Sequence, residues 1–353
     1  MFTRPRRFKY SSLYHLIRFS PVLFSFILGF CSAILFQSFF QRSSDFSKNS
    51  FSKTLISTNS KEHFYNISKH DPEFLIIIIL SSPGNRNIRT AIRESWIKLG
   101  GTHRRFCVFF TIGTFGLTSE EVEHLKEEQN NYKDMLLLSE VKDAYHTLTE
   151  KLMKSFLWLW NESFTYDYLL KVDDDSFVRL DNLYDELVSK DTQLTSIERN
   201  AGLYWGYFDG RAPVRRSGLW SESDWFLCDR YLPYALGGGY IISKNLIDFI
   251  SMNSKFFKLY KNEDISVGSW LASLKTNRIH DIRFDTEYVS RGCIESHLIQ
   301  HKQTLTDMIT KYHSLDRFQK LCPNGENEKR LSYEYNWHVL PSKCCIRNVS
   351  LSA

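Results

Sequence analysis

The sequence predicts an α/β fold with a largely parallel sheet, preceded by a long apolar N-terminal segment. Three observations predict it. Short apolar runs alternate with helical patterns between residues 74 and 172, and the first of these runs contains no polar residue. Such runs are typical of strands buried on both faces of a parallel sheet. Residues 19–41 also contain no charged side chain. Ligands of parallel sheets bind at the carboxyl ends of the strands, so the residues that follow each strand are the candidates for function.

Four strands and three helices are predicted in order along this part of the chain. The first strand and helix are separated by the turn residues Ser-Ser-Pro-Gly-Asn at 81–85. The third helix is indicated by apolar residues that recur at helical spacing from Tyr145 to Leu159. The predicted strands are Phe74–Leu80, Phe106–Ile112, Met135–Leu138 and Tyr168–Val172, and the first two helices are Arg89–Leu99 and Ser119–Asn130.

The apolar segment 19–41 is long enough to cross a bilayer, which needs about 20 residues in a helix. A cleaved secretory signal has a shorter apolar region, so an uncleaved signal anchor is favoured over both a signal peptide and a buried core helix. Five basic residues precede it and predict a cytoplasmic tail at 1–18. Residues 42–70 are rich in Ser, Lys and Asn and predict a lumenal stem, which leaves 71–353 as the catalytic domain.

The basic excess of the chain is concentrated in that tail. The net charge is +5, and subtracting the five tail residues from 45 basic residues leaves 40, equal to the 40 acidic residues. A nucleic-acid-binding domain carries its basic excess on the folded body, so this class of function is disfavoured.

Six cysteines outside the apolar segment fit an oxidising compartment, in which disulfides form. Their pairing is left open, but adjacent Cys344 and Cys345 are expected to pair elsewhere rather than with each other. A zinc site is disfavoured because the sequence has no CxxC spacing. The Asn-x-Ser triplets at Asn66, Asn161 and Asn348 predict N-glycosylation.

Three consecutive carboxylates, Asp173, Asp174 and Asp175, directly follow the fourth predicted strand. They repel one another unless a cation or solvent relieves the charge. A hard divalent cation takes oxygen ligands and bridges to substrate phosphates. The cluster therefore indicates a site for a metal and a phosphorylated ligand. The alternative is an exposed acidic turn, or a cap for the helix that begins near Arg179.

A second acidic pair, Glu263 and Asp264, opens a predicted helix. Either one could take a proton from an attacking hydroxyl, or both could simply complement the helix dipole. The glycines 237–239 predict a close approach of the backbone to another group, with a packed turn as the default. Trp205, Trp220, Trp225 and Tyr231 could stack on sugar rings or belong to the core.

Five ordered motifs together resemble the β-1,3-galactosyltransferase family, glycosyltransferase family 31, over roughly residues 74–305. The second motif departs from the family pattern, with Thr147 where asparagine is usual. The motifs are Arg89–Trp96 (R-x-A-I-R-x-[ST]-W), Asp143–Lys151 (D-x-Y-x-N-L-T-x-K), Lys171–Val178 around D-x-D, Tyr234–Ser243 (Y-x-x-G-x-G-Y-x-x-S) and Glu263–Ile265 (E-D-V).

This resemblance implies a GT-A-like fold that binds a nucleotide sugar and inverts the anomeric centre. It implies Asp264 as the catalytic base, with Glu263 as the fallback. For Arg93 and Lys151, the alternative to donor binding is a structural role as partners in ion pairs. The implied Mn²⁺ ligands are Asp173, Asp175 and His301, the implied donor-binding residues are Arg89, Arg93, Asp143, Lys151, Asp173 and Asp174, and the implied acceptor-binding residues are Trp220, Tyr234, Gly238, Gly239 and Glu263.

Further segments between Leu219 and Cys345 resemble family members that act on the glycosaminoglycan linkage region. That likeness implies UDP-galactose as donor and the galactosyl-β-1,4-xylosyl-serine of a proteoglycan as acceptor, in a Golgi membrane. Transfer of N-acetylglucosamine or N-acetylgalactosamine is the alternative within the class. A catalytically silent glycan-binding Golgi protein and a metal-dependent phosphohydrolase are the alternatives from other classes.

Overall fold

A computed structural model describes residues 73–347. The chain divides into two units, Met1–Glu62 and His63–Ala353, and all described residues belong to the second. The predicted tail, anchor and stem, together with Asn66 and Asn348, lie outside the described residues. Between residues 73 and 347, none of the helices is both long and apolar enough to span a membrane.

The described strands differ in length, and the longer ones form the central sheet. In chain order they are β1 Glu73–Leu80, β2 Phe106–Gly113, β3 Met135–Leu138, β4 Tyr166–Asp173, β5 Phe177–Val178, β6 Leu203–Asp209, β7 Tyr234–Ser243, β8 Asn277–His280, β9 Phe284–Asp285, β10 Gly292–Cys293, β11 Ile299–Gln300 and β12 Asn327–Glu328.

The α-helices alternate with the first strands and continue between the later ones. They are α1 Arg86–Glu94, α2 Ser119–Tyr132, α3 Leu148–Asn161, α4 Leu180–Gln193, α5 Ser196–Ala201, α6 Lys244–Met252, α7 Glu263–Leu271 and α8 Leu305–Phe318. Short 3-10 turns occupy Trp96–Gly100, Tyr145–Thr147, Ser254–Phe256 and Pro341–Lys343.

The central sheet has the strand order β3-β2-β1-β4-β7-β6-β8. The first four strands in this order are mutually parallel, as predicted. Phe74 to Leu80 are all buried, because β1 lies between two neighbours and is covered on both faces. Helix α3 contacts both α6 and α7, whereas α1 contacts α8. The α/β class and the four strands predicted along the chain are therefore confirmed, whereas their order within the sheet was not predicted.

Strand β7 was not predicted from the sequence, and it reverses the direction of the sheet. It pairs antiparallel with β4, with Lys171 opposite Tyr240 and Val172 opposite Gly239. Its three glycines resemble a turn in the sequence, yet Tyr240 is fully buried within the strand. This register places the glycine-rich start of β7 beside the carboxyl end of β4, where the aspartates follow.

The first predicted helix is shorter than expected and begins earlier. Helix α1 runs from Arg86 to Glu94, and the chain continues as a 3-10 turn after Ser95. Ser95 has φ −116° and ψ −107°, which is incompatible with a continuous helix. Trp96 is fully buried as a result, because the break turns its side chain into the core.

The cysteines correct one prediction. Cys344 and Cys345 form a disulfide with each other, and Cys293 pairs with Cys322. Cys107 is buried with a free thiol in β2, where burial raises its pKa to about 12. Both cysteines of this adjacent pair are buried in the folded C-terminal segment.

Candidate active site

The acidic cluster lies at the carboxyl edge of the parallel strands. Asp173 ends β4, and Asp175 follows in the turn to β5. A small sheet of β5, β11 and β9 brings His301, the residue after β11, to the same place. Its Nε2 atom lies 2.9 Å from Asp175 Oδ1 and 3.5 Å from Asp173 Oδ2. The ligand atoms of the three residues all lie within 4.8 Å of one another.

The hydrogen bonding of His301 suits a metal ligand. Its Nδ1 lies 3.1 Å from the main-chain oxygen of Glu287, and a carbonyl can only accept, so Nδ1 carries the proton. The buried Nε2 has no hydrogen-bond donor among the described residues and faces carboxylates. Burial opposes a charge on the ring, but Asp173 and Asp175 raise the pKa of His301 to about 9. A divalent cation placed among two carboxylates and one imidazole would replace that proton.

The middle aspartate is directed elsewhere. Asp174 accepts a hydrogen bond of 2.9 Å from Asn85 Nδ2, at the start of α1. Burial raises the pKa of Asp174, and hydrogen bonds from Asn85 and Ser81 oppose that rise. Asp174 therefore ties the end of β4 to the loop after β1. It does not join the cluster of Asp173, Asp175 and His301.

Two predicted donor-binding residues, Asp143 and Lys151, form a buried ion pair of 2.6 Å. The Lys151 ammonium also donates to the main-chain oxygen of Ser81, and Asp143 accepts from Gly113 N and Ser82 Oγ. Burial lowers the pKa of Lys151 against the attraction of Asp143. The pair joins the carboxyl ends of β1 and β2, and only 1% of the lysine side chain is exposed. This geometry agrees with the structural alternative for Lys151, and the donor-binding role of the pair stays a prediction.

Arg89 and Arg93 are likewise held inside the protein. Arg89 is fully buried, pairs with Glu128 at 2.7 Å and donates to the main-chain oxygens of Ser82 and Pro83. Arg93 pairs with Glu128 and Asp134. Arg89 shapes the loop after β1, and these protein partners occupy its guanidinium group. Arg93 lies one helical turn farther from the edge and forms ion pairs of the kind given as its structural alternative, so its donor-binding role stays a prediction.

The central residue of the site was not predicted as functional. Lys171 is fully buried in β4, and its ammonium lies 2.8 Å from Asp173 Oδ1. It also pairs with Glu263 Oε1 at 2.5 Å and donates to the main-chain oxygen of Gly237. The signal was a lysine in the apolar run Tyr168–Val172, since an unpaired buried ammonium is very unfavourable.

Glu263 and Asp264 differ in their surroundings. Glu263 is buried and pairs with Lys171, and its acceptor-binding role stays a prediction. Asp264 is only partly buried, and its carboxylate accepts hydrogen bonds from Gly237 N at 3.0 Å and Ile265 N at 2.8 Å. Burial, reinforced by the charge of Glu263, raises the pKa of Asp264 to about 8. Asp264 is therefore the more accessible of the two carboxylates.

The predicted close approach at the glycines is confirmed. A Cβ added at Gly238 would lie 2.7 Å from the Cγ and Nδ1 atoms of His301, and one at Gly239 would lie 2.9 Å from Ile299 Cδ1. Both α-carbons therefore face other parts of the protein. The absence of a Cβ at these glycines lets His301 and Ile299 reach the edge of β4, and the predicted acceptor-binding role of the two glycines stays a prediction.

Aromatic side chains line the outer side near Asp264. Trp220 is about half exposed, and its ring centroid lies 6.3 Å from that of exposed Tyr288. Burial raises the pKa of Tyr145 above its usual value, with further contributions from Asp264, Glu263 and Asp173, so its hydroxyl lies near these carboxylates. Trp220 and Tyr288 are thus available to a ligand. Tyr234 is buried, as are the core residues Trp205, Trp225 and Tyr231.

Two other residues complete the surroundings. Lys302, which the sequence analysis did not single out, places its ammonium 2.9 Å from Asp175 Oδ2 with about half of its side chain exposed. It is the neighbour of His301 in the chain, and its φ of 61° is in the left-handed region. Asn161, a predicted glycosylation site, is exposed at the end of α3, so its side chain is accessible.

Comparison with known proteins gives consistent matches. A family model described as galactosyltransferase matches residues 87–282. The chain is 42% identical over 277 residues to beta-1,3-galactosyltransferase 6 of Mus musculus, which covers 78% of this chain and 83% of that protein. It is 32% identical over 198 residues to UDP-GalNAc:beta-1,3-N-acetylgalactosaminyltransferase 2 of Xenopus laevis, covering 56% of this chain and 38% of that one. Hydroxyproline O-galactosyltransferase GALT5 of Arabidopsis thaliana is 29% identical over 256 residues, covering 70% and 36%.

Replacing Lys171 with methionine should destabilise the fold by about 3–5 kcal/mol, because it leaves the Asp173 and Glu263 carboxylates without their shared cation. Urea unfolding measures the effect. Lys244→Met, which removes a partly exposed pair with Asp248, should cost less than about 1 kcal/mol. Adding Glu263→Gln to Lys171→Met should recover part of the loss. Equal costs for the two single lysine variants would contradict the central role of Lys171.

Gly238→Ala should weaken binding of Mn²⁺ by about 10-fold or more, because the new methyl group displaces the His301 ring. Titration of Mn²⁺ followed by electron paramagnetic resonance measures the free ion. The matched control is Gly84→Ala, since a Cβ at Gly84 meets no atom within 4 Å. Wild-type affinity in a folded Gly238→Ala protein would show that the ring position is unimportant for the cation.

Proposed function

This chain belongs to the galactosyltransferase family, and from that premise we propose that it transfers galactose from UDP-galactose, with inversion, to a terminal β-galactose in β-1,3 linkage. The acceptor is the galactosyl-β-1,4-xylosyl-serine of the proteoglycan linkage region. One observation carries the proposal. Buried Lys171 connects Asp173, a member of the Asp173–Asp175–His301 triad, to the start of helix α7, which presents Asp264. A cation site and a candidate base therefore share one edge of a GT-A-like sheet.

The triad is proposed to hold Mn²⁺, and the donor diphosphate to lie against it. A bound divalent cation supplies positive charge for the diphosphate that departs. Asp173, Asp175 and His301 provide the ligand atoms, and His301 is already oriented by its bond to Glu287. Lys302 adds an accessible ammonium beside the triad. The network of Asp143, Lys151 and Arg89 keeps the loop after β1 in place at the side of the nucleotide.

Asp264 is proposed as the base. The acceptor hydroxyl oxygen forms a bond to the anomeric carbon, its proton passes to the Asp264 carboxylate, and the bond from that carbon to the diphosphate breaks. The hydrogen bonds from Gly237 and Ile265 fix both carboxylate oxygens of Asp264. A base with a raised pKa accepts the proton more readily than an ordinary aspartate. Displacement from the face opposite the leaving group gives the inverted, β-linked product.

The acceptor is proposed to lie between Asp264 and the exposed rings of Trp220 and Tyr288. Sugar rings present flat apolar faces that pack on aromatic side chains. The resemblance of residues 219–345 to linkage-region enzymes supports the acceptor identity. We place the protein in the Golgi membrane, anchored by residues 19–41 with the catalytic domain in the lumen, since the charge pattern of the tail favours that orientation.

The function is tested by incubating the detergent-solubilised full-length protein with a β-galactosyl-xyloside and Mn²⁺. Separate reactions contain UDP-galactose, UDP-N-acetylgalactosamine or UDP-N-acetylglucosamine, each with a chelator control. We expect chelator-sensitive galactose transfer and a β-1,3 linkage in the product by NMR. Transfer from another donor alone would replace the donor assignment. Glycan binding without transfer would favour a catalytically silent protein, and phosphate release without transfer a phosphohydrolase.

Asp264→Asn should abolish transfer while UDP binding stays near that of wild type, because Asp264 acts on the acceptor. In the wild-type protein the base must be ionised, and its pKa is raised to about 8. We therefore expect kcat/KM to fall as the pH is lowered through about 8, where an ordinary aspartate would keep full activity down to about pH 5. Rates at pH 6–9 check this. Retained turnover in Asp264→Asn would remove Asp264 from the mechanism.

A further inference from the structure

Glu287 connects the metal triad to a cluster of arginines. Its side chain is buried, and the guanidinium groups of Arg291, Arg330 and Arg347 all approach its carboxylate. Arg330 Nη2 lies 3.0 Å and Arg291 Nε 3.6 Å from the nearest carboxylate oxygen, and Arg347 bonds to the same oxygen as Arg330. The main-chain oxygen of Glu287 accepts the Nδ1 proton of His301. Glu287 thus links three guanidinium groups to the orientation of the His301 imidazole.

The arginines come from separate parts of the chain. Arg291 closes the local loop, donating to Asp285 Oδ1 and to the main-chain oxygens of Ile282 and Phe284. Asp285 in turn accepts a hydrogen bond of 2.9 Å from His301 N at its own main-chain oxygen. Arg291 therefore acts within the loop that holds His301.

Arg330 and Arg347 reach Glu287 from the C-terminal segment. Arg330 follows β12, and Arg347 follows the Cys344–Cys345 disulfide and also lies over the Tyr333 ring. Tyr333 is buried, and its hydroxyl donates to the main-chain oxygen of Phe208 at the end of β6. The C-terminal segment is thereby packed against the central sheet, which fixes the positions of Arg330 and Arg347.

We propose that Arg330 and Arg347 are positioning residues that act through Glu287 to hold His301 ready for a divalent cation. This inference rests on the metal role proposed for the triad. The imidazole can bind a cation through Nε2 only while the proton is on Nδ1, and the Glu287 oxygen keeps it there. When the Glu287 backbone is released, the ring can rotate or carry its proton on Nε2, beside Asp175. In either state the lone pair is lost to the cation.

These residues lie outside the range that the family model matches. The family model matches residues 87–282, whereas Glu287, His301, Arg330 and Arg347 all follow that range. Arg330 has a third of its side chain exposed, and ion pairs of exposed groups contribute at most about 1 kcal/mol to stability. Loss of the residues that orient a metal-bound histidine weakens metal affinity by about 10–100-fold. A purely structural role for Arg330 would therefore produce a much smaller change in metal affinity.

The test measures Mn²⁺ affinity of the detergent-solubilised full-length protein by electron paramagnetic resonance. Arg347→Ala and Arg330→Ala should each weaken binding by about 10-fold or more, and Arg347→Lys should recover part of the loss. UDP affinity measured without Mn²⁺ should stay unchanged in all three variants. The matched control is Arg104→Ala, which removes another partly buried arginine from a single carboxylate, Asp185, ahead of β2.

The Asp175→Ala variant distinguishes a failure of the proposed metal site from a failure of the proposed positioning role. If wild-type and Asp175→Ala proteins bind Mn²⁺ equally, the metal site of the proposed function is wrong. If Asp175→Ala loses binding while folded Arg330→Ala and Arg347→Ala keep wild-type affinity, only the positioning role is overturned. Circular dichroism establishes folding, and if Arg347→Ala fails to fold, the more exposed Arg330 decides the outcome.

Discussion

The burial of one ammonium group constrains the whole site. Lys171 lies in the middle of the sheet, where an unpaired charge would be very unfavourable, so carboxylates must come to it from two directions. Asp173 comes from its own strand and Glu263 from the start of α7, while Gly237 offers a carbonyl from β7. These three partners fix the spacing between the end of β4 and the start of α7, where Asp264 lies. The geometry available for transfer follows from satisfying that charge.

The chemical division of labour is a result of unequal surroundings for similar side chains. Asp173 lies beside Lys171 and His301, whose charge and hydrogen bond outweigh burial and keep its pKa below the usual range. Burial, reinforced by the charge of Glu263, raises the pKa of Asp264 and outweighs the attraction of Lys171 and the hydrogen bonds from Ile265 and Gly237. Asp174 is occupied by Asn85. Carboxylates that look equivalent in the sequence thus have three different surroundings, at the candidate cation site, at the proposed base and at a loop tether.

The parallel half of the fold was predictable because its strands are continuous apolar runs, and the aspartates were placed correctly at the end of β4. The antiparallel strand β7 was missed because its glycines have no side chains to produce a period. Contacts across the chain were also hidden. The sequence alone could not show that Arg93 pairs with Asp134, that Glu263 pairs with Lys171, or that Gly238 packs on His301. The self-pairing of Cys344 and Cys345 likewise depends on how the C-terminal segment packs.

The triad combines residues that are far apart in the chain, since Asp173 and Asp175 end β4 whereas His301 follows β11. During synthesis, the aspartates therefore leave the ribosome long before the histidine does. A nascent chain that has completed its parallel strands contains the acidic cluster of the candidate cation site but not yet its imidazole. The candidate cation site is therefore complete only after residue 301 has been synthesised, and a chain that ended after residue 282 would lack its imidazole.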